Sequence, residues 1–296
     1  MFYNKKLIND YNNSLSAEDI LTKSIQSPPQ NWTDFVDQVK KLTKKNGTYI
    51  TQAGIALGTS NNVENSQDIL SLLMLQNNTK MVSEDKKTPT FNLPSEKETG
   101  STVYPGTSAL DFYTSFAKPA KETYCWNSSL ASSTEAFIQG KTAMMFNYSY
   151  VINKIKNLSP DLDFSIAEMP QVKGAGTRTD YASYWPEVVS KDSKYPQVAW
   201  DFLKFASDDI QLSQYNRITQ KPSPRLNTNL GPSLGDENSI FGGQIKTATS
   251  WYKNKTPDKI DTIFKDMITA VVSQNQPLQK AIDAAAEKIK TLWKEE

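Results

Sequence analysis

Short apolar strands alternate with helices along most of this chain, and this alternation restricts the folds that it can adopt. Residues 1–7 predict a buried strand that runs directly into a helix. Residues 141–147 and 164–169 predict two further strands, separated by a helix over about 150–157. Strands that alternate with helices are typical of α/β layers with a largely parallel sheet. The sequence therefore predicts an α/β fold.

Capping residues and apolar periodicity define the helices. Ser16 and Asn31 each precede a helical segment and can accept hydrogen bonds from its free backbone N–H groups. The segment 68–76 is strongly apolar and predicts a buried helix. One apolar stripe follows Asn31. It comprises Trp32, Phe35, Val36, Val39 and Leu42.

The remaining segments are assigned in the same way. Residues 77–106 predict a surface excursion with one hairpin, and residues 184–190 predict a strand. A packed helix is expected to start at Pro196, and the tail over 236–293 reads as almost wholly helical. The tryptophans expected in amphipathic stripes, and hence in the core, are Trp32 and Trp200, while Trp293 is expected to pack the last helix.

Composition excludes several classes of function. The 296 residues carry a net charge of +1, which gives no electrostatic case for binding nucleic acid or an acidic membrane. With no histidine and one cysteine, Cys125, the chain lacks the usual Ser-His-Asp and Cys-His chemistry and a His/Cys zinc site. No metal or cofactor is expected. A pair of carboxylates remains open as a basis for glycoside hydrolysis.

Four segments, in order, resemble one family. Residues 137–144 (FIQGKTAM) are similar to its Phe-x-x-Gly-Lys-x-Ala-Met signature, and residues 166–170 to a strand that leaves its second lobe. Residues 184–205 resemble a strand and helix that re-enter the first lobe, and residues 282–292 resemble the closing helix. The family is the extracellular solute-binding protein family 1, the maltose-binding-like proteins of ABC importers. The resemblance implies a periplasmic-binding-protein-like type II two-lobe fold.

The resemblance also implies a domain division. Residues 1–178 correspond to the second lobe, residues 179–235 to a remnant of the first lobe, and residues 236–296 to a helical return to the second lobe. The start of the chain is interpreted as internal to a longer gene, with the export signal, a lipid anchor and the N-terminal part of the first lobe expected upstream. The implied partners are a carbohydrate and an ABC permease, and the implied location is extracellular or periplasmic.

Three clusters are candidates for the ligand site, because sugars need aromatic rings for their apolar faces and short polar side chains for their hydroxyls. The first is Asn147, Tyr148 and Tyr150, of which one tyrosine can instead pack under the following helix. The second is Tyr184, Trp185 and Glu187, with a core tryptophan and a surface glutamate as the alternative. The third is Trp251, which can equally be a buried core residue. Two further candidates are Trp126, in a loop, and Arg225, for which a surface position is the alternative.

Three alternatives to a carbohydrate-binding protein are also compatible with the sequence. A binder of a polyamine, peptide or organic anion would need charged groups in the cleft. A glycoside hydrolase would need two carboxylates on adjacent strand ends, and no such pair is evident. A truncated product without binding function is the remaining alternative.

Overall fold

The computed structural model describes residues 1–96, 100–219, 221–225 and 236–295. The strands are β1 (Phe2–Asn4), β2 (Lys44–Asn46), β3 (Tyr49–Gln52), β4 (Ser95–Glu96), β5 (Thr102–Val103), β6 (Met144–Met145), β7 (Phe164–Ile166), β8 (Asp180–Tyr181) and β9 (Ala248–Thr249). The helices are α1 (Lys5–Asn13), α2 (Ala17–Lys23), α3 (Trp32–Leu42), α4 (Ser66–Gln76), α5 (Pro105–Ser115), α6 (Ser133–Ile138), α7 (Val151–Leu158), α8 (Pro196–Ala206), α9 (Asp209–Thr219), α10 (Asp236–Gln244), α11 (Pro257–Val272) and α12 (Leu278–Lys294). None of the helices in these ranges is long and apolar enough to cross a membrane.

The sheet that contains the first strand is built from segments far apart in the sequence. β1 lies between β6 and β7 and pairs antiparallel with both, with Phe2 opposite Met145 and Ile166. β6 and β7 are therefore parallel to each other and connected by α7, as the alternation of strands and helices predicted. The prediction of a largely parallel sheet is nevertheless wrong here, because a strand from the start of the chain is inserted between them in the opposite direction.

The caps and the apolar stripe of α3 are confirmed. The Asn31 side chain accepts hydrogen bonds from the backbone N–H groups of Thr33 and Asp34, at 3.0 Å each. Trp32, Phe35, Val39 and Leu42 are buried, and Phe35 stacks on Phe146 at 5.4 Å between ring centroids. Ser16 likewise caps α2 by accepting from Asp19. Since burial of each large apolar side chain stabilises by about 1.5–3 kcal/mol, α3 depends mainly on this stripe.

The main core lies between α3 and a layer formed by α4, α5, α11 and α12. α4 is buried along nearly its whole length, as its apolar sequence predicts. Gly58, in the loop between β3 and α4, has φ +111° and lies so close to the end of α5 that an added Cβ would be 2.7 Å from the backbone nitrogen of Ala117. Only glycine fits there without displacing the chain. Trp293 packs at the end of α12 with 9 % exposure, as predicted.

The segment 182–219 differs from its predicted structure. Residues 182–190 have no regular secondary structure, so the strand expected at 184–190 is not formed. α8 does begin at Pro196, but none of its residues is buried, and Trp200 is 50 % exposed. The prediction that Trp200 is a core residue is wrong for the described chain, because no described element covers that face of the helix. The other apolar side chains left exposed in α8 and α9 are Val198, Phe202, Phe205, Ile210, Tyr215 and Ile218.

Candidate functional site

The turn after β6 meets the loop before α4 in a cluster of short polar side chains. Asn147 donates from its amide to the Glu64 carboxylate at 3.0 Å and to the Thr134 hydroxyl at 3.1 Å. Thr134 also donates to Glu64, at 2.7 Å. The amide of Asn65 donates to the Asn147 oxygen at 3.1 Å. We call Glu64, Asn65, Thr134 and Asn147 the Asn147 cluster.

The loop before α4 is held in an unusual backbone conformation. Asn65 has φ 57° and ψ 29°, in the left-handed region that asparagine tolerates better than most residues. It occupies the position before the first turn of α4 but makes no side-chain cap to that helix. Its amide donates instead to Asn147 and, at 3.4 Å, to the Tyr150 hydroxyl, so the local strain is offset by contacts at the site.

Two tyrosines stand beside the Asn147 cluster. The rings of Tyr148 and Tyr150 stack, with 6.3 Å between centroids and 29° between planes. Tyr150 is 56 % exposed, whereas Tyr148 is half-buried. The pair therefore offers solvent one exposed ring, on which a second ring is stacked. We call Tyr148 and Tyr150 the tyrosine pair.

A buried ion network lies beneath the tyrosine pair. The Tyr148 hydroxyl donates to Asp68 at 2.8 Å, and the ammonium of Lys253 lies 3.7 Å from Asp68 and 2.5 Å from Asp261. Burial raises the pKa of the Asp68 carboxyl. Burial alone would lower the pKa of Lys253, but Tyr181, Asp261 and Asp68 outweigh it and raise that pKa. Lys253 therefore stays charged between its two acids.

The segment around Tyr181 joins the site from the other side. β8 pairs in parallel with β9, and the Tyr181 ring lies 6.0 Å from the Lys253 ammonium. Burial raises the pKa of Tyr181 to about 12. Burial raises the pKa of the Tyr148 phenol, and the Ser183 hydroxyl partly offsets that rise. The chain that leads to the second predicted cluster thus passes directly beside the tyrosine pair.

The second predicted cluster follows immediately and is open to solvent. Tyr184 is 71 % exposed and Trp185 is 85 % exposed, and Glu187 is exposed as well. These residues directly follow Ser183, and no regular strand fixes which of their side chains share a face. Strand alternation therefore does not place Trp185 and Glu187 on a common face.

The other three predicted site residues are engaged with other parts of the chain. Trp251 is buried against Phe264 at 5.4 Å, and its indole N–H donates to Ser71 at 3.1 Å. Trp126 is 1 % exposed and donates to Asn62 at 3.1 Å. Arg225 donates to Asp209 at 2.6 Å and to the Ser207 carbonyl at 2.7 Å, so it links the ends of α8 and α9. None of these contacts includes the Asn147 cluster or the tyrosine pair.

Sequence analysis missed several residues of this site. Glu64, Asn65 and Thr134 join Asn147 only through the tertiary fold, and Asp68 and Lys253 join Tyr148 in the same way. The run Asn61-Asn62-Val63-Glu64-Asn65 before the buried helix α4 is the one signal that could have marked the loop. In the described part of the chain, no group of three or more His, Cys, Asp or Glu side chains is arranged to hold a metal ion. An open pocket of ≈ 340 Å³ lies apart from the site, between α11 and α12.

Comparison with known proteins gives the following findings. The model of the bacterial extracellular solute-binding protein family matches residues 1–211. No curated protein sequence matches the chain significantly.

Solved structures match over essentially the whole chain. An ABC transporter solute-binding protein from Thermotoga lettingae, bound with α-D-tagatose, is 18 % identical with a TM-score of 0.72, over 99 % of this chain and 69 % of that one. The cyclic α-maltosyl-1,6-maltose binding protein from Arthrobacter globiformis is 15 % identical with a TM-score of 0.74, over 100 % and 70 %. The sugar-binding protein MalE from Xanthomonas citri is 17 % identical with a TM-score of 0.73, over 99 % and 68 %. These matches confirm the periplasmic-binding-protein-like fold class.

Proposed function

The chain belongs to the bacterial extracellular solute-binding protein family, and we propose that its solute is a mono- or oligosaccharide bound at the tyrosine pair and the Asn147 cluster. The observation that carries the proposal is the exposed ring of Tyr150, stacked on Tyr148, next to amide, hydroxyl and carboxylate groups. A pyranose presents apolar C–H faces that stack on such a ring, and hydroxyls that pair with such polar groups. The similar structures named above include binders of tagatose and maltose-type sugars.

The proposed site extends to the second predicted cluster. Tyr184, Trp185 and Glu187 directly follow the segment of Tyr181 and Ser183 beside the tyrosine pair, and in this proposal their exposed side chains contact the ligand there. Trp251 does not contact the ligand in this proposal, but it packs against the ion network under the tyrosine pair, with its ring 5.7 Å from the Lys253 ammonium. Trp126 and Arg225 have no part in the proposed site, given their contacts with Asn62 and Asp209.

The proposed domain division is unchanged: residues 1–178 and 236–296 form the second lobe, and residues 179–235 contribute to the first lobe. Residues 220 and 226–235 lie outside the described part of the chain. The uncovered apolar faces of α8 and α9 support the division, since large exposed apolar patches commonly mark interfaces. This chain spans about 70 % of the length of each similar structure.

We further propose that the solute is delivered to an ABC permease from outside the cytoplasm, without chemical turnover. Closure of two lobes around a ligand is a signal that a permease can recognise, because the ligand favours the closed state through contacts made only there. The family and the similar structures are binding proteins, which supports a non-catalytic role. Incubation with maltose should therefore yield no glucose.

The test is a calorimetric titration with α-D-tagatose, mannobiose and maltose, which are ligands named for the similar structures. We expect saturable binding of at least one of them, and we expect Tyr150→Ala to weaken it by about tenfold or more, as for a stacked aromatic anchor. Tyr49→Ala is the matched control, because Tyr49 is 78 % exposed on β3 and outside the site. Equal effects of the two substitutions would refute the proposed site.

A second candidate ligand is a polyamine, favoured by the three carboxylates Glu64, Asp68 and Asp261 close to two aromatic rings. These acids are already engaged, however, because Glu64 accepts from Thr134 and Asn147, while Asp68 and Asp261 share Lys253. Spermidine in the same titration distinguishes the candidates. Tight spermidine binding with no response to the sugars would replace the carbohydrate proposal.

A further inference from the structure

The ion network beneath the tyrosine pair is unusually well buried for charged groups. The side chains of Asp68 and Lys253 are 9 % and 14 % exposed, and that of Asp261 is 27 % exposed. Burying charges costs several kcal/mol per ion unless they are paired and hydrogen-bonded. The network meets this condition by joining three separate parts of the chain: the first turn of α4, the loop after β9 and the start of α11.

One contact connects this network to the proposed ligand surface. The Tyr148 hydroxyl donates to the Asp68 carboxylate at 2.8 Å, and the Tyr148 ring stacks on the exposed Tyr150. Burial, together with the negative charge of Asp68, raises the pKa of Tyr148 above its usual value. The phenol therefore keeps its proton at neutral pH, and that proton is directed to Asp68.

We propose that Asp68 is a positioning residue that orients the ring of Tyr148, and through it the ligand-facing ring of Tyr150, while Lys253 and Asp261 hold Asp68 in place. This inference rests on the proposed function. It assigns a role to Tyr148: its ring supports the ring of Tyr150 that contacts the ligand, and its hydroxyl is hydrogen-bonded to Asp68. Asp68 itself does not touch the ligand.

The proposal is tested with Asp68→Ala, Asp68→Asn, Tyr148→Phe and the double variant Asp68→Ala/Tyr148→Phe. Asp37→Asn is the matched control, because Asp37 also pairs with a lysine at 2.7 Å but lies on the exposed face of α3. The first measurement is an aromatic ¹H–¹³C NMR spectrum with labelled tyrosine, in which the Tyr148 signals are identified by their loss in Tyr148→Phe. The second is calorimetric titration with maltose.

We expect Asp68→Ala to shift and broaden the signals of Tyr148 and Tyr150 and to weaken maltose binding by about tenfold. Asp68→Asn retains an acceptor oxygen, so its tyrosine signals and its affinity for maltose should stay close to those of the unaltered chain. Tyr148→Phe should weaken binding to the same extent as Asp68→Ala, and the double variant should be no worse than either single one, because both remove the same contact. Asp37→Asn should change neither measurement.

Additive losses in the double variant would overturn the proposal, since they would mean that the Tyr148 hydroxyl binds the sugar directly. If the unaltered chain does not bind maltose, the proposed function fails for that ligand, and the NMR measurement still decides the positioning role. Unchanged Tyr148 and Tyr150 signals in Asp68→Ala would then refute it. If Asp68→Ala does not fold, Tyr148→Phe decides, and full retention of the Tyr150 signals in that variant would refute the positioning role.

Discussion

Asn62 joins the loop that carries Glu64 and Asn65 to the loop before α6, and its removal should destabilise the chain. Its side-chain oxygen accepts from the Thr59 hydroxyl and from the Trp126 indole N–H, the latter at 3.1 Å. Its amide donates to the carbonyls of Asn127 and Leu130, at 2.9 Å each. All four hydrogen-bonding positions of the amide are thus used.

The expected magnitude follows from these four bonds. A net contribution of about 1 kcal/mol for each gives about 4 kcal/mol for Asn62→Ala. The two carbonyls are only partly buried and can regain water, whereas the indole N–H of Trp126 is left without its acceptor. We therefore expect a loss of about 3 kcal/mol in the free energy of unfolding.

Urea unfolding followed by tryptophan fluorescence and far-UV circular dichroism measures this loss. Asn61→Ala is the matched control, because the adjacent Asn61 accepts one exposed bond from Ser128 at 3.2 Å. Its loss should stay within about 0.5 kcal/mol. A loss below about 1 kcal/mol for Asn62→Ala, or one equal to that of Asn61→Ala, would refute the role assigned to Asn62.

Three further predictions concern the core. Burial raises the pKa of the Cys125 thiol to about 12, so a thiol reagent at about pH 8 should label the chain only when it is unfolded, and labelling of the native chain would contradict the structure. Gly58→Ala should lower the free energy of unfolding by more than about 2 kcal/mol in urea, because its new Cβ would meet Ala117. Gly47→Ala is the control: Gly47 also has a positive φ, +60°, but nothing lies within 4 Å of the added Cβ, so the loss should be about 1 kcal/mol. Above about pH 10, three phenols ionise in the unfolded chain, whereas burial keeps them neutral in the folded chain. The free energy of unfolding should therefore fall by about 1.4 kcal/mol per pH unit for each phenol, as measured by urea unfolding across a pH series. The absence of such a fall would be inconsistent with their burial. These phenols are Tyr113, Tyr148 and Tyr181.

Much of the local structure could be predicted because its causes are local. The cap of α3 by Asn31 and its buried stripe depend on residues within one helix, and so does the apolar character of α4. The strand–helix order and the motif around residues 137–144 were sufficient to indicate the family, which the match over residues 1–211 confirms. The insertion of β1 between β6 and β7 could not be predicted, since a short strand carries no signal that selects partners so far along the chain.

The candidate site likewise contains residues that are adjacent in the sequence and residues that only the tertiary fold brings together. Asn147, Tyr148 and Tyr150 are neighbours in the sequence, so their proximity was evident from it. Glu64 lies 83 residues before Asn147, and only the tertiary structure brings the two side chains together. The pairing of Asp68 with Lys253 likewise arises from the packing of α4 against the loop after β9, which neither segment specifies alone.

The sequence by itself determined which helices have an apolar face, and the tertiary structure decided which of those faces are buried. α3 and α8 both carry aromatic and aliphatic side chains at helical spacing. Phe35 on α3 is fully buried, whereas Phe202 on α8 is 64 % exposed. The physical reason is that periodicity within a helix fixes only the direction in which its side chains point. Burial requires a second surface at that position, and a helix does not encode what packs against it.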